Sequence, residues 1–290
     1  MEYINYLLLF FIFLFLPFVC GGIIRKIRAM AQGRMGPPVL QNYFDFIRLW
    51  GKTPIDGPYS GFYASSAPIS VFLIGLFIYS ISVFEWIPLL LLPFFLTLQR
   101  VFLIGYAMET GSSFGGLGTS REILLSITSE PILILSILVS QSKIHVDFHW
   151  LGLALGTLFL GSFLVSILAE LSKPPFDDPR THLELTMVHE AMLLEASGRT
   201  LAFFEGANQL KIATFFVILN RIGLEHTNFL QLSKYHEVVA NLIVLFGSLA
   251  LSVLIGYWEA ISVRRKWIWI PEVMGMTFLF LLVLGTLVKL

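Results

Sequence analysis

With 290 residues, 56% of them hydrophobic and 13% charged, the chain cannot dress a soluble globule, which typically carries about 25% charged residues. A mean hydropathy of +0.81 makes lipid the solvent for much of its surface, and a formal net charge of zero gives no footing for a nucleic-acid partner. One cysteine, Cys20, closes no internal disulfide and supplies too few thiolates for a zinc or iron–sulfur site, so any redox centre belongs on another subunit.

The apolar start, Met1 to Cys20, carries Glu2 and no basic residue, while Arg25, Lys26 and Arg28 follow it. That order fits a retained first helix that begins outside the membrane rather than a signal peptide. About 20 apolar residues cross the hydrocarbon as a helix, because lipid leaves no other way to satisfy the backbone. Spans are expected over 4–24, 66–84, 88–108, 122–140, 150–171, 207–222, 238–262 and 270–288. The sixth is the weakest, being short and carrying Lys211 and Arg221. The reading is an all-α polytopic protein, a single transmembrane domain over 1–290 with about eight helices. The segments after spans one, three, five and seven hold 13 Lys and Arg against 3 in the alternate segments and C-terminus. That asymmetry places those loops in the cytoplasm and both termini outside, in a cell membrane.

Two connections are long, 25–65 and 172–206. Within the first, Pro37-Pro38 leads Val39, Leu40, Tyr43, Phe44, Phe46, Ile47 and Trp50, interleaved with Gln41, Asn42, Asp45 and Arg48. The helical period and the aromatics predict an amphipathic helix over 37–52 lying in the cytoplasmic interface, or else a linker packed on the bundle.

Charges inside spans are costly and mark a pathway or a buried pair. Arg100 in span three and Glu130 in span four reach similar depths from the same side, roughly 12 and 14 Å at 1.5 Å per residue. The matched depths leave a salt bridge between them open, and such a pair can be purely structural. Glu109, Glu122, Glu170, Asp177, Asp178, Glu184, Glu190, Glu195, Glu205 and Glu259 crowd the cytoplasmic half with Glu130, 11 of the 19 carboxylates. Acids crowded in a low dielectric can take and pass protons, although loop acids can equally be plain solvated groups. Within 172–206, Asp178-Pro179 reads as an N-cap and first turn for a helix through Thr181 to Met192. Continued, that helix sets Glu184 and Glu195 about 20° apart on one face and aligns His182 with His189. His189-Glu190 is no zinc-protease motif, since Leu193 holds the second histidine position, and the run Gly111–Gly118 lacks dinucleotide-loop spacing.

An ordered set of short stretches resembles a known family. It comprises Gly33-Arg-Met-Gly-Pro-Pro38 with Gln41, Asp45 and Lys52; Arg100; Glu109-Thr-Gly-Ser112; Ser120-Arg-Glu122; Glu130-Pro131; Glu170 with Pro175-Phe-Asp177; Thr181 through Met192; and Glu195-Ala-Ser-Gly198. The chain resembles the complex I membrane subunit beside the quinone chamber. It resembles more closely its counterpart in energy-converting nickel–iron hydrogenases of the formate hydrogenlyase and hydrogenase-4 type. Where complex I members carry further glutamates after the Pro-Phe-Asp triplet, Arg180 and His182 stand here, with the hydrogenase-type Thr181-His-Leu-Glu.

The resemblance implies a cofactor-free core subunit of a membrane-bound oxidoreductase. It would join a redox arm, which carries the iron–sulfur clusters and nickel–iron site, to ion-translocating antiporter-like subunits. Expected partners are the hydrogenase large and small subunits, the antiporter-like and small membrane subunits, and lipid. Carried over by position, Glu109, Glu122, Glu130, Glu170, Asp177, Glu184 and Glu195 form a lateral ion path with Arg100. Arg34, Gln41, Asp45, Arg48, Lys52, Arg121, His182 and His189 belong to the docking cradle, and no residue is expected to be catalytic or to bind metal. The rival readings are a quinone-reducing complex of the same fold, a purely structural anchor, and a stand-alone secondary transporter, for which no inverted repeat is seen.

Overall fold

The computed structural model describes residues 2–55, 57, 61–141, 149–177, 188–226, 236–263, 267 and 269–288. Among them lie ten α-helices: α1 (Glu2–Ala31), α2 (Gln41–Trp50), α3 (Phe62–Phe84), α4 (Leu92–Glu109), α5 (Ser113–Gln141), α6 (His149–Glu170), α7 (His189–Met192), α8 (Gly198–His226), α9 (His236–Ile261) and α10 (Trp269–Val288). Seven are long and apolar enough to cross a membrane, and α6 is apolar over Leu155–Glu170. Each of the eight expected spans therefore finds its helix.

The ends differ from expectation. α1 continues to Ala31, so Arg25, Lys26 and Arg28 ride on its last turns. At 30 residues it is about 45 Å long, some 15 Å more than the hydrocarbon needs. α5 begins nine residues early, at Ser113, and α8 begins at Gly198 rather than 207. The interface helix is shorter than 37–52: Pro37 and Pro38 lie in the preceding turn, where the Pro38 carbonyl accepts the Gln41 N–H. The helix expected through Met192 is described only as the four residues of α7, and Thr181 to Met187 lie outside the described residues.

α8 is the central post, packed against α1, α2, α3 and α9. In its most apolar 18-residue stretch, 72% of the residues are buried, against 50% or less in the other candidate spans. This explains its weak hydropathy signal, because a helix wrapped by protein has little need of lipid-compatible side chains. α1 runs along α9, α3 along α4, and α5 along α6 and α10. Within the bundle, hydroxyls such as Ser82, Ser136, Ser140, Ser248 and Ser252 bond back to carbonyls one turn earlier, so their polar atoms stay satisfied.

α2 lies across one end of the bundle. Phe46 packs against Phe18 of α1 and Phe72 of α3, and Trp50 meets Phe203 of α8 edge-on. Tyr43, Phe44 and Ile47 stay exposed, as expected of a helix at an interface. Asn42 donates to Gln209 Oε1 at 2.9 Å across this contact. Gly21 and Gly22 permit the approach: a Cβ on Gly22 would stand 1.7 Å from the Val39 carbonyl oxygen, and one on Gly21 1.8 Å from Gln209 Oε1.

Gly22→Ala should therefore push the 39–42 segment off α1 and cost about 1–3 kcal/mol, read as a lower melting temperature in detergent. Gly275→Ala, with open space around its would-be Cβ, should melt no lower than wild type.

Candidate functional site: a buried charge network

Arg100 on α4 is 5% exposed and contacts three carboxylates. Its Nε donates to Glu122 Oε1 at 2.9 Å, Nη1 to Glu130 Oε1 at 2.5 Å, and Nη2 to Glu170 Oε2 at 2.7 Å. Glu122, Ser126 and Glu130 recur every fourth residue on α5 and so share a face. Ser126 Oγ lies 2.5 Å from both Arg100 Nη1 and Glu130 Oε1. Glu170, the last residue of α6, also accepts from Ser129 Oγ at 2.7 Å and pairs with Lys211 of α8 at 3.3 Å. Four helices thus each place a charge at one point.

Three carboxylates against Arg100 and Lys211 leave one excess negative charge when all are ionised, so one added proton makes the group neutral. The side chains of Arg100, Glu122 and Glu170 are 5% exposed or less, whereas Glu130 is 21% exposed and opens on the flank of the bundle beside the exposed Ile127. A cavity of about 40 Å³ lies against the network, lined in part by Arg100, Glu122, Glu170, Lys211 and His189. Two buried atoms of this lining, Glu122 Oε2 and His189 Nε2, have no hydrogen-bond partner.

A second cluster lies toward the α2 end. Glu259 of α9, 1% exposed, pairs with Arg28 of α1 at 3.0 Å and with Lys173 at 2.8 Å. Asp177, also 1% exposed, accepts the backbone N–H groups of Val188 and His189 and so seats the start of α7. A cavity of about 50 Å³ is lined by Arg28, Lys173, Asp177, His189, Glu190 and Glu259 among others. A third cluster surrounds a cavity of about 270 Å³ between α1, α2 and α8. There Arg25 faces Asp45 at 3.5 Å and Glu205 at 3.8 Å, and Gln41 donates to Asp45 at 2.8 Å.

Outside the spans, two groups have displaced proton affinities. Burial pushes His189 down to about 4, against the opposing pull of Glu122 and with help from Lys211 and Lys173. Glu190 is held above the usual carboxylate value, first by loss of water around it and then by the charges of Glu205 and Asp177.

Of the residues expected on the ion path, Arg100, Glu122, Glu130 and Glu170 come together, with Asp177 in the neighbouring cluster. Glu109 stands apart: its carboxylate accepts from Tyr63 and Ala64 N–H and caps the start of α3. Glu195 is exposed in the turn after α7, which ends at Met192, so its expected alignment with Glu184 does not extend that far. Glu184 and His182 lie outside the described residues. Of the expected docking residues, Gln41, Asp45, Arg48 and Lys52 lie on or just after α2, and Arg34 is exposed. Arg121 lies 5.8 Å from the Trp267 ring centre, and His189 turns Nε2 inward rather than outward. Lys211, Glu259, Arg28 and Lys173 were not expected among the site residues. The presence of Lys211 inside a span was the available signal. Among the described residues, no three His, Cys, Asp or Glu side chains converge as metal donors.

Arg100→Ala leaves the buried Glu122 and Glu170 and the partly exposed Glu130 facing one lysine and should cost about 3–5 kcal/mol, seen as loss of folded protein after detergent extraction. Glu130→Gln keeps its shape and removes the excess charge, and should leave the yield near wild type. Because His189 binds its proton less readily in the folded chain than in the unfolded one, the unfolded chain takes up the proton first as pH falls. The seating of α7 should therefore be full above pH 6.5 and weaken toward pH 4 by at most about 3 kcal/mol. Amide exchange of α7 should show this, and His189→Gln should lack it.

Comparison with known proteins follows the same lines. A family described as NADH dehydrogenase matches residues 4–289. Hydrogenase-4 component C of Escherichia coli (strain K12) is 33% identical over 220 residues, 68% of this chain and 69% of that protein. Formate hydrogenlyase subunit 4 of the same organism is 30% identical over 202 residues, 61% of this chain and 63% of that one. A chain from the membrane-bound sulfane sulfur reductase, an archaeal respiratory membrane complex, shares the fold with a TM-score of 0.75 over 98% of this chain and 99% of its own, at 17% identity. The chain belongs to the NADH dehydrogenase family of complex I-like membrane subunits.

Proposed function

We propose that this chain is the core membrane subunit of an energy-converting, hydrogenase-type respiratory complex, coupling electron transfer in a docked arm to proton or sodium translocation. The observation that carries the reading is the Arg100 network: three carboxylates sharing two cations inside the bundle, with Glu130 open on the flank. Buried ion pairs are weak evidence of stability, and a network one charge out of balance is better suited to handling protons than to holding helices together.

In this reading the α2 and α7 end faces the cytoplasm and both termini lie outside. The hydrogenase large and small subunits, with the nickel–iron site and iron–sulfur clusters, dock there over Asp45, Arg48 and Lys52. Antiporter-like subunits lie against the α5 flank at Glu130, and small membrane subunits and lipid cover the rest. Electron transfer alters charge at the docked face. The carboxylates around Arg25, Glu259 and Asp177 respond, and the Arg100 network passes the change to Glu130. The similarity to subunits of hydrogenase-4 and formate hydrogenlyase supports this assignment over a stand-alone transporter. The quinone-chamber reading calls for an apolar tunnel at α1 and α2; the cavity there mixes Arg25, Asp45, Arg48, Lys52 and Glu205 with Phe18, Phe46, Leu49 and Leu201, and it is the similarity to the hydrogenase subunits that supports the hydrogenase type.

The test is Glu130→Gln and Asp177→Asn in inverted membrane vesicles that contain the whole complex. Both variants should retain assembly and lose ion pumping or slow turnover. Wild-type pumping and rate in both would leave only a structural anchor.

A further inference from the structure

We propose that His189 is a proton relay between the Asp177–Glu259 cluster and the Arg100 network, acting through water in the two cavities whose boundary it forms. The inference rests on the coupling function proposed above and names the step that connects its two inner clusters.

The geometry is specific. The cavities of about 40 and about 50 Å³ have Leu171, Ser172, His189 and Asn208 in common. A water needs roughly 10–15 Å³ of such volume and several polar partners, and each cavity has both the room and the polar lining to hold one. Leu171 is apolar. Ser172 and Asn208 can orient water but do not exchange a proton at neutral pH. The imidazole alone of the four can take a proton on one nitrogen while losing one from the other.

The two partnerless atoms fit this role. Glu122 and His189 both line the smaller cavity, and Glu122 Oε2 and His189 Nε2 are buried without a hydrogen-bond partner among the described residues. Glu122 Oε2 accepts, and a neutral ring with its proton on Nε2 donates. A water between them, accepting from Nε2–H and donating to Oε2, would complete both. Among the described residues, the charged groups lining the two cavities are Arg100 from α4, Glu122 from α5, Glu170 with Lys173 and Asp177 from α6 and its following turn, Lys211 from α8, Arg28 from α1, Glu259 from α9, and Glu190 beside His189 on α7. His189 is held low, at about 4, so the resting ring is neutral and keeps a free lone pair at physiological pH.

In the relay step, a carboxylic acid of the Asp177–Glu259 cluster loses its O–H proton to a water, and that water passes a proton to Nδ1, where an N–H forms. The Nε2–H breaks, and its proton passes through the second water to the Glu122 carboxylate, where an O–H forms. The ring ends neutral with its proton on Nδ1, and one proton has moved from one cluster to the other without any change in oxidation state.

The test uses the intact complex in inverted vesicles, with proton movement followed by a pH-sensitive dye. His189→Gln and His189→Asn keep a hydrogen-bonding side chain but cannot carry a proton. Each should co-purify its partner subunits at wild-type yield and lower proton translocation about tenfold or more. His189→Gly should be equally impaired and regain translocation when imidazole is added to the medium, which a merely structural role would not produce. Wild-type translocation in the Gln and Asn variants overturns the relay, as does an assembled Gly variant that imidazole fails to restore. Uncoupling by Glu130→Gln alongside normal coupling in His189→Gln sinks the relay only. Normal coupling in both removes the coupling function with it.

Discussion

Three carboxylates cannot enter the middle of an apolar bundle without a cation among them. The Arg100 guanidinium resolves this by presenting a planar fork of donors, and Nε, Nη1 and Nη2 each meet a different glutamate from α5 or α6. A lysine at the same place would offer a point charge and could not hold three acceptors in fixed directions. The register of α4, α5 and α6 is therefore tied to one side chain, and Lys211 brings α8 into the same arrangement. Each of these charges would be prohibitive alone. Together they are tolerable, and the excess acid makes their protonation state the adjustable part of an otherwise close-packed bundle.

The rest of the polar interior is graded from the α2 end inward. The outer cluster around Arg25, Asp45 and Glu205 borders the cavity of about 270 Å³ and is partly exposed. The middle cluster holds Glu259 between two cations, with Asp177 engaged in seating α7. The innermost is the Arg100 network. The outer cluster is partly exposed, whereas Glu259, Asp177, Arg100, Glu122 and Glu170 are all 5% exposed or less, and Glu130 opens again at 21%. Water-sized cavities lie against the middle and inner clusters, where a rigid wall of packed side chains would otherwise separate them. Close helix contacts such as α1 against α2 at Gly21 and Gly22 hold the outer cluster in register with α8, which lies beside the inner one.

What the sequence could show depended on whether a signal was local. Eight apolar runs announced eight helices, because hydropathy reports lipid exposure directly. Helix ends were less legible: α1 runs past Arg25, Lys26 and Arg28, since basic residues continue a helix beyond the hydrocarbon as readily as they stop one. α8 looked weakest because it is enclosed, so that its polar residues face partners instead of lipid. The Arg100–Glu130 pair was readable from matched depths, and Glu122 and Glu170 joined it only through family resemblance. Lys211 could not be assigned there, since nothing local places it against α6. Glu109 shows the opposite limit. A carboxylate near a helix end reads alike whether or not it caps a neighbouring helix, and only the contact with Tyr63 and Ala64 shows the cap. The alignment of Glu195 with Glu184 has another limit: the 100° rule holds only while the helix continues, and α7 stops at Met192.

Glu130 shows how such a network connects to its surroundings. It lies on α5 one turn from Ile127, whose side chain is largely exposed, as is that of Ile123 a further turn back. Those two residues are at home against lipid or an apolar partner; a carboxylate is not, even with Arg100 and Ser126 bonded to one of its oxygens. The remaining exposure is the part of the network that its own bundle leaves uncovered. A neighbouring membrane subunit with a polar or cationic group at the same depth would complete it. Such a contact would make the protonation state of Glu130 depend on both sides at once. An acid held by Arg100 from within and by a partner from without is the simplest physical means by which charge displaced at the α2 end can be felt by a helix in another chain.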